Sequence, residues 1–359
     1  MYGAIIGDIV GSRFEFDRGS KSREFELFTP ACEFTDDTVM TVAVAEALLD
    51  SGKDADEQTI KANLITSLKK WGQKYPDSGY GARFIDWVLT DDPKPYGSYG
   101  NGSGMRVSAV GWLYDTIERT REVARWTSEI THNHPEGVKG AESTAAMIFM
   151  ARNGASKEEI KKYVEDEFGY NLSRTLNEIR PTYHHVEDCM HTMPEAFTCF
   201  FEADSYEATL RNVMYIGGDT DTLCAIAGAI AEAYWGIPQE IMAKDKIYLS
   251  KEIIDVLFRF MNTVNVHSKR ARCIPTKSES ETISSDRTNY NKWTTTGYAG
   301  VPVDINTIKL VNKPKSSEPK HSGFDAPVRG IQYPKGTFKE DKEGYLIPIL
   351  PDDKKDKDD

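Results

Sequence analysis

The start of the chain has neither a long apolar run nor a basic lead-in. In Met1-Tyr2-Gly3-Ala4-Ile5-Ile6-Gly7-Asp8 and the residues after it, Asp8 and Arg13 break the apolar stretch too early for a signal peptide or a membrane span. A soluble, cytoplasmic protein without membrane association is therefore expected. Cysteine is sparse too. The residues at 32, 189, 199, 224 and 273 form an odd, scattered set without a Cys-x-x-Cys pair, which argues against a disulfide framework and a zinc knuckle. Positive charge is in deficit: 44 Lys and Arg against 56 Asp and Glu give a net charge of -12, so there is no broad positive field for nonspecific nucleic-acid binding. Sustained strand alternation is missing as far as about His267, and no tandem repeat of solenoid length occurs.

What is present reads as a succession of helices, and an all-α fold is expected. Val39 to Leu49 and Leu223 to Trp235 are apolar on nearly every face and rich in Ala, as suits helices packed among other helices. Ser156-x-x-Glu159 is a capping box opening a Lys/Glu-rich helix that closes near Gly169, and a further helix is expected from about Lys251 to Val264. After His267 the composition turns to Ser, Thr, Lys and Pro. Two regions follow: a compact helical domain over 1-267 and a small non-helical or partly disordered C-terminal extension over 268-359. Within the extension Gly330 to Tyr333 and Tyr345 to Pro348 could be edge strands, and the region is either a partner-binding arm or a linker without function.

The chemistry-bearing residues sit at helix mouths. Thr35-Asp36-Asp37-Thr38 stands before the first apolar helix, and Gly217-Gly218-Asp219-Thr220-Asp221-Thr222 stands before the second. Either alone is a plausible N-cap, but one oxygen suffices to cap and each cluster offers several. If the two helices pack together, the assembled carboxylates repel one another unless cations lie among them. All-oxygen ligands select a hard ion, Mg²⁺ or Mn²⁺ before zinc, and a shared carboxylate would hold two ions about 3.5 to 4 Å apart. Gly7-Asp8-Ile9-Val10-Gly11-Ser12-Arg13-Phe14-Glu15 is a weak glycine match without the ending of a P-loop; taken alone it reads as a close-packing helix with Glu15 solvated. Gly97-Ser98-Tyr99-Gly100-Asn101-Gly102 reads as a surface loop whose exposed amides could cradle a diphosphate. His132 and His134, between two helices, suit substrate contact or capping.

In this order, Gly7-Asp8-x-x-Gly11-x-x-x-Glu15, Thr35-Asp36-Asp37-Thr38, Gly100-Asn101-Gly102 with Met105-Arg106, Thr131-His132 and Gly217-Gly218-Asp219-x-Asp221-Thr222 resemble the motifs of the ADP-ribosylglycohydrolase family, the DraG-like hydrolases. The resemblance spans roughly residues 1 to 265. It implies a compact orthogonal helical bundle with a binuclear magnesium centre, manganese being the alternative, at the base of an ADP-ribose cleft. Carried over by position, Thr35, Asp36 and Asp37 bind one metal, Asp219 and Thr222 the other, and Asp221 bridges. Glu15, Asp36 and Asp37 are the expected catalytic carboxylates, and Gly97, Ser98, Tyr99, Gly100, Asn101 and His132 the substrate contacts. The implied partner is an ADP-ribosylated protein, with ADP-ribosyl-arginine as the expected linkage and free ADP-ribose as the product. Two other readings remain open on sequence grounds: a two-metal phosphohydrolase, and a protein of the same fold that binds ADP-ribose without turnover.

Overall fold

The computed structural model describes residues 1–19, 21–242 and 249–264, together with the backbone pairing of residues 296–297, 301–302, 338–340 and 346–348. Among the described residues the chain runs through α1 (Tyr2–Gly11), a 3-10 turn (Ser12–Phe14), α2 (Asp36–Ser51), α3 (Glu57–Lys74), α4 (Ala82–Leu89), α5 (Gly102–Met105), α6 (Ser108–Leu113) and α7 (Ile117–Glu129). It continues through α8 (Pro135–Arg152), α9 (Lys157–Phe168), α10 (Leu176–Ile179), α11 (Cys189–Phe201), α12 (Tyr206–Ile216), α13 (Thr220–Trp235), α14 (Gln239–Met242) and α15 (Lys251–Thr263). The all-α expectation holds, and none of these helices is long and apolar enough to cross a membrane.

The centre is α13, buried at every position from Thr220 to Ala233. Its Ala, Gly and Ile side chains expose no polar group, so α1, α2, α8, α11 and α12 all pack against it. The closest approach is to α1. Gly3, Gly7 and Gly11 recur every fourth residue and so form one stripe on that helix. A Cβ added at those positions would stand 2.3 Å from Gly228 O, 2.2 Å from Cys224 O and 2.3 Å from Thr220 O, so only hydrogen side chains let the two backbones meet. The contacts run antiparallel, which sets the end of α1 beside the start of α13. On the other faces of α1, Ile5, Ile6 and Ile9 are fully buried, each contributing about 1.5–3 kcal/mol.

Local signals end the helices where the sequence places them. Ser156 and Glu159 form both bonds of a capping box at the start of α9, and Gly169 closes it at φ 69°. The Ser250 side chain accepts from Ile253 N to open α15. In the C-terminal region β1 (Thr296–Gly297) pairs antiparallel with β2 (Val301–Pro302), and β3 (Phe338–Glu340) with β4 (Leu346–Pro348). Thus Leu346 to Pro348 is a strand as expected, whereas Gly330 to Tyr333 lies outside the described residues.

Candidate metal centre and active-site cleft

The site begins where three chain segments end against one another. Thr35 is the extended N-cap of α2, and its Oγ1 accepts from Asp37 N at 3.3 Å. Asp36 N donates to Ser78 O at 2.9 Å, and Asp8 of α1 takes two further amides at this helix mouth, its Oδ2 accepting from Thr35 N at 2.9 Å and Thr38 N at 3.0 Å. Its Oδ1 accepts from the Thr35 hydroxyl at 2.8 Å. A carboxylate from another helix thereby completes the cap, and it ties α1 to α2 as it does so. At the second mouth, Gly217 (φ 74°) and Gly218 (φ 93°) make the turn that presents Asp219 as N-cap of α13. The Thr222 hydroxyl then donates to Asp37 Oδ2 at 3.0 Å, so the two acidic clusters touch although 185 residues separate those partners.

The result is a concentration of carboxylates out of water. Ligand atoms of Asp8, Asp37 and Asp221 lie within 4.8 Å of one another, as do those of Glu15, Asp219 and Asp221; Asp221 belongs to both groups. Asp8, Asp37, Asp219 and Asp221 are buried, and Asp36 and Glu15 are half-buried. Burial, then the charge of Asp221, pushes the Asp8 carboxyl up to about 6 despite its three hydrogen bonds from Thr35 and Thr38. Burial followed by Asp221, Asp8 and Asp36 raises Asp37 well above the carboxylate range, and burial with Asp221 does the same to Asp219. Asp37 Oδ1 is buried without a hydrogen-bond partner. An acceptor left in that state costs about 1–3 kcal/mol unless a cation or proton meets it. The donor set is carboxylate and hydroxyl oxygen throughout, the chemistry of a hard divalent ion. The positive ends of α2 and α13 both face the cluster and offset part of its charge. The residues therefore fit the group that the family resemblance implies.

A cleft opens above this floor, and Glu15, Asp36, Asp37, Ser98, Tyr99, Gly100, Asn101, His132, Asp219, Asp221 and Thr222 all line it. Thr35 lies beneath the lining, fully engaged with Asp8 and Asp37. Gly97 stands outside: it is exposed at φ 69°, and its amide donates to Asn133 Oδ1 at 2.7 Å, so it shapes the loop. The expectation of free loop amides needs correction, because the Gly100 amide donates to Ser98 Oγ at 3.2 Å and the Asn101 amide to Glu187 O at 2.7 Å. These bonds, with Cys189 N to Tyr99 O at 2.9 Å and the bridge between Gly100 and Asp188, clamp the loop onto the start of α11. What the loop offers inward is the Asn101 side chain, whose Nδ2 donates to Asp219 Oδ2 at 2.6 Å and to Thr192 Oγ1 at 3.2 Å.

Glu15 is not simply solvated. The Asp17 carboxylate accepts from Gly218 N at 3.0 Å and His185 N at 2.8 Å, and this double anchorage holds Phe16 (φ 59°) and Asp17 (φ 55°) in the left-handed region. The turn so formed brings Glu15 over Asp219 and Asp221. His134 caps α8, accepting from Glu136 N at 3.2 Å, whereas His132 faces the cleft. Several residues escaped sequence reasoning. Asp8 had a signal, as a charge inside an apolar helix; Arg83, Glu187 and Asp188, which also line the cleft, had none.

A helical fold with an oxygen-only acidic floor beneath a mixed-charge cleft is the setting of a metal-assisted enzyme site, and the comparison with known proteins gives the class as hydrolases. The family model for ADP-ribosylglycohydrolase matches residues 1–260, and the chain belongs to that family. It is 28% identical over 313 residues to human "ADP-ribosylhydrolase ARH3", covering 67% of this chain and 85% of that protein. It is 24% identical to "ADP-ribosyl-[dinitrogen reductase] glycohydrolase" of Rhodospirillum rubrum, covering 70% of this chain and 90% of that one. It is also 24% identical to "ADP-ribosylarginine hydrolase Tri1" of Pseudomonas putida (strain GB-1), with 66% and 70% covered. A solved structure titled "ADP-ribosylglycohydrolase-related protein complex" shares the fold at a TM-score of 0.58 and 21% identity, covering 73% of this chain and 95% of that one.

Proposed function

We propose that the protein hydrolyses the glycosidic bond between ADP-ribose and a modified protein, with arginine as the linked residue, and releases free ADP-ribose. The observation that carries this reading is the Thr222–Asp37 hydrogen bond, which joins two acidic helix mouths into one oxygen-lined floor beneath an open cleft. The names of the Rhodospirillum rubrum and Pseudomonas putida relatives support the substrate class. Thr35, Asp36 and Asp37 would hold one Mg²⁺, Asp219 and Thr222 a second, and Asp221 would serve both, Mn²⁺ being the alternative. When bound, the ions stabilise negative charge on ribose hydroxyls and so ease the oxocarbenium-like charge at the anomeric carbon. Asp36 or Glu15, both half-buried and lining the cleft, orients the attacking water and accepts its proton, while a protonated group gives a proton to the departing side chain. Asn101 holds Asp219 in place through its 2.6 Å bond, and His132 and Ser98 contact the ADP-ribose. The catalytic domain ends near residue 267, and the composition of residues 268–359 suits either a partner-binding arm or a linker without function.

The test is incubation with arginine-, serine- and nucleobase-linked ADP-ribose in magnesium, with mass spectrometry of what is freed. Intact ADP-ribose from the arginine linkage supports the proposal. AMP would reveal a phosphohydrolase, and binding of ADP-ribose without turnover an inactive relative. An Asp36→Ala variant acting at the parental rate would defeat the catalytic assignment.

A further inference from the structure

In the cleft wall beside the Gly100 loop lies a chain of polar side chains almost sealed from water. Arg106 is 1% exposed; its Nη2 donates to Thr127 O at 2.9 Å and to Thr131 Oγ1 at 2.7 Å. Thr131 is fully buried, and its Oγ1 stands 2.7 Å from Nδ1 of His132. The imidazole is pinned from its backbone as well, since His132 N donates to Ser128 O at 2.7 Å and Ser128 Oγ donates to His132 O at 2.8 Å. Its far nitrogen, Nε2, lies against the glycines of the loop: a Cβ on Gly100 or Gly102 would stand 3.5 or 3.3 Å from it.

The direction of each hydrogen in this chain follows from what the groups can do. A guanidinium only donates, so the Thr131 hydroxyl oxygen is the acceptor of the Arg106 bond. That oxygen could accept a second bond, but its single hydrogen meets no other acceptor among the described residues than His132 Nδ1, and as that acceptor Nδ1 carries no proton. We infer that Arg106 and Thr131 are positioning residues that lock His132 as the neutral, Nε2-protonated tautomer, presenting one fixed donor to an acceptor oxygen in the cleft. Only the identity of that oxygen, a diphosphate oxygen of ADP-ribose, rests on the proposed function. The alternative tautomer would leave a buried hydroxyl hydrogen without an acceptor.

The electrostatic surroundings act in the same sense. Burial, then the charges of Arg106 and Arg83, hold the imidazole well below its ordinary pKa, and the Tyr96 ring is centred 6.1 Å away. Burial lowers Arg106 itself only to about 10, so it remains a cation and a donor. His132 is therefore a donor that does not depend on acidification, and it is no general acid. The cleft thus divides its labour: carboxylates face the ribose end, and a fixed donor wall takes the rest of the ligand.

The decisive measurement is long-range proton–nitrogen correlation of the imidazoles in full-length protein labelled with ¹⁵N-histidine, without ligand. The chain has seven histidines, and His132→Gln assigns the resonance. The expected spectrum shows an unprotonated Nδ1 and a protonated Nε2 that do not change between about pH 5 and about pH 8. A protonated Nδ1, or titration within that window, would overturn the inference. Thr131→Val is expected to release the lock and populate both tautomers, with roughly tenfold weaker ADP-ribose binding by calorimetry; Thr131→Ser restores both. Should the valine variant not fold, the parental and Thr131→Ser spectra decide alone. Failure of the parental protein to bind ADP-ribose would remove the functional reading, leaving the tautomer to be judged by its spectrum.

Discussion

Asp37 concentrates the electrostatic conflict of this protein: a buried oxygen with no protein partner, surrounded by Asp8, Asp36 and Asp221. Its consequence is a pH dependence opposite to that of an ordinary salt-bridged acid. Asp8, raised to about 6, keeps its proton in the folded state where the unfolded chain has lost it, so the folded form binds more protons between about 4 and 6. Stability from this group is fully present below the unfolded value and is lost as pH rises through about 6, and Asp37 and Asp219 shift in the same direction. Metal-free protein is therefore expected to melt at lower temperature as pH rises from about 5 to about 7, by calorimetry in a chelating buffer. Added magnesium should raise the melting temperature, and raise it more at pH 8 than at pH 5, because protons compete for the same oxygens. Equal shifts at the two values would speak against ions among these carboxylates. At the same scale, Asn101→Ala removes the donor that holds Asp219. It is expected to weaken magnesium-dependent stabilisation and to lower turnover by roughly ten- to a hundredfold, as loss of an outer-shell partner does.

Between elements, the glycine stripe of α1 is the feature with least tolerance. Gly7→Ala would place a methyl carbon 2.2 Å from Cys224 O, against backbone that cannot rotate away. Loss of about 3 kcal/mol or more, or failure to accumulate as folded protein, is the expected outcome in a denaturant titration. An unchanged midpoint would mean that α1 and α13 are not in contact. The helices themselves were legible in the sequence because their signals are local: the apolar faces of α2 and α13 and the capping box of α9. The two acidic mouths were legible for the same reason, each being written in consecutive residues. Asp8 showed as a misplaced charge and as part of the Gly7-Asp8 motif, but its role as a cap on α2 exists only after α1 and α2 have packed. The clamp between Tyr99 to Asn101 and Glu187 to Cys189 left no trace, because a short bridge between two irregular segments has neither period nor motif. The same tertiary bonds consume amides that composition alone presents as free.

For the molecule as a whole, the family match ends at residue 260, soon before the change of composition after His267. Removal of residues 268–359 is expected to leave the far-ultraviolet dichroism of the helices and the hydrolytic rate unchanged within about twofold. A larger loss would assign the extension a part in the cleft. The antiparallel meeting of α1 with α13 sets a further condition, because the first and nearly the last helices of the catalytic region must come together to close the acidic floor. On the ribosome, the opening segment must wait for more than two hundred further residues to emerge before its glycine face finds cover. A nascent chain halted before residue 219 lacks Asp219, Asp221 and Thr222, so the acidic floor cannot be assembled until synthesis of the helical domain is largely complete.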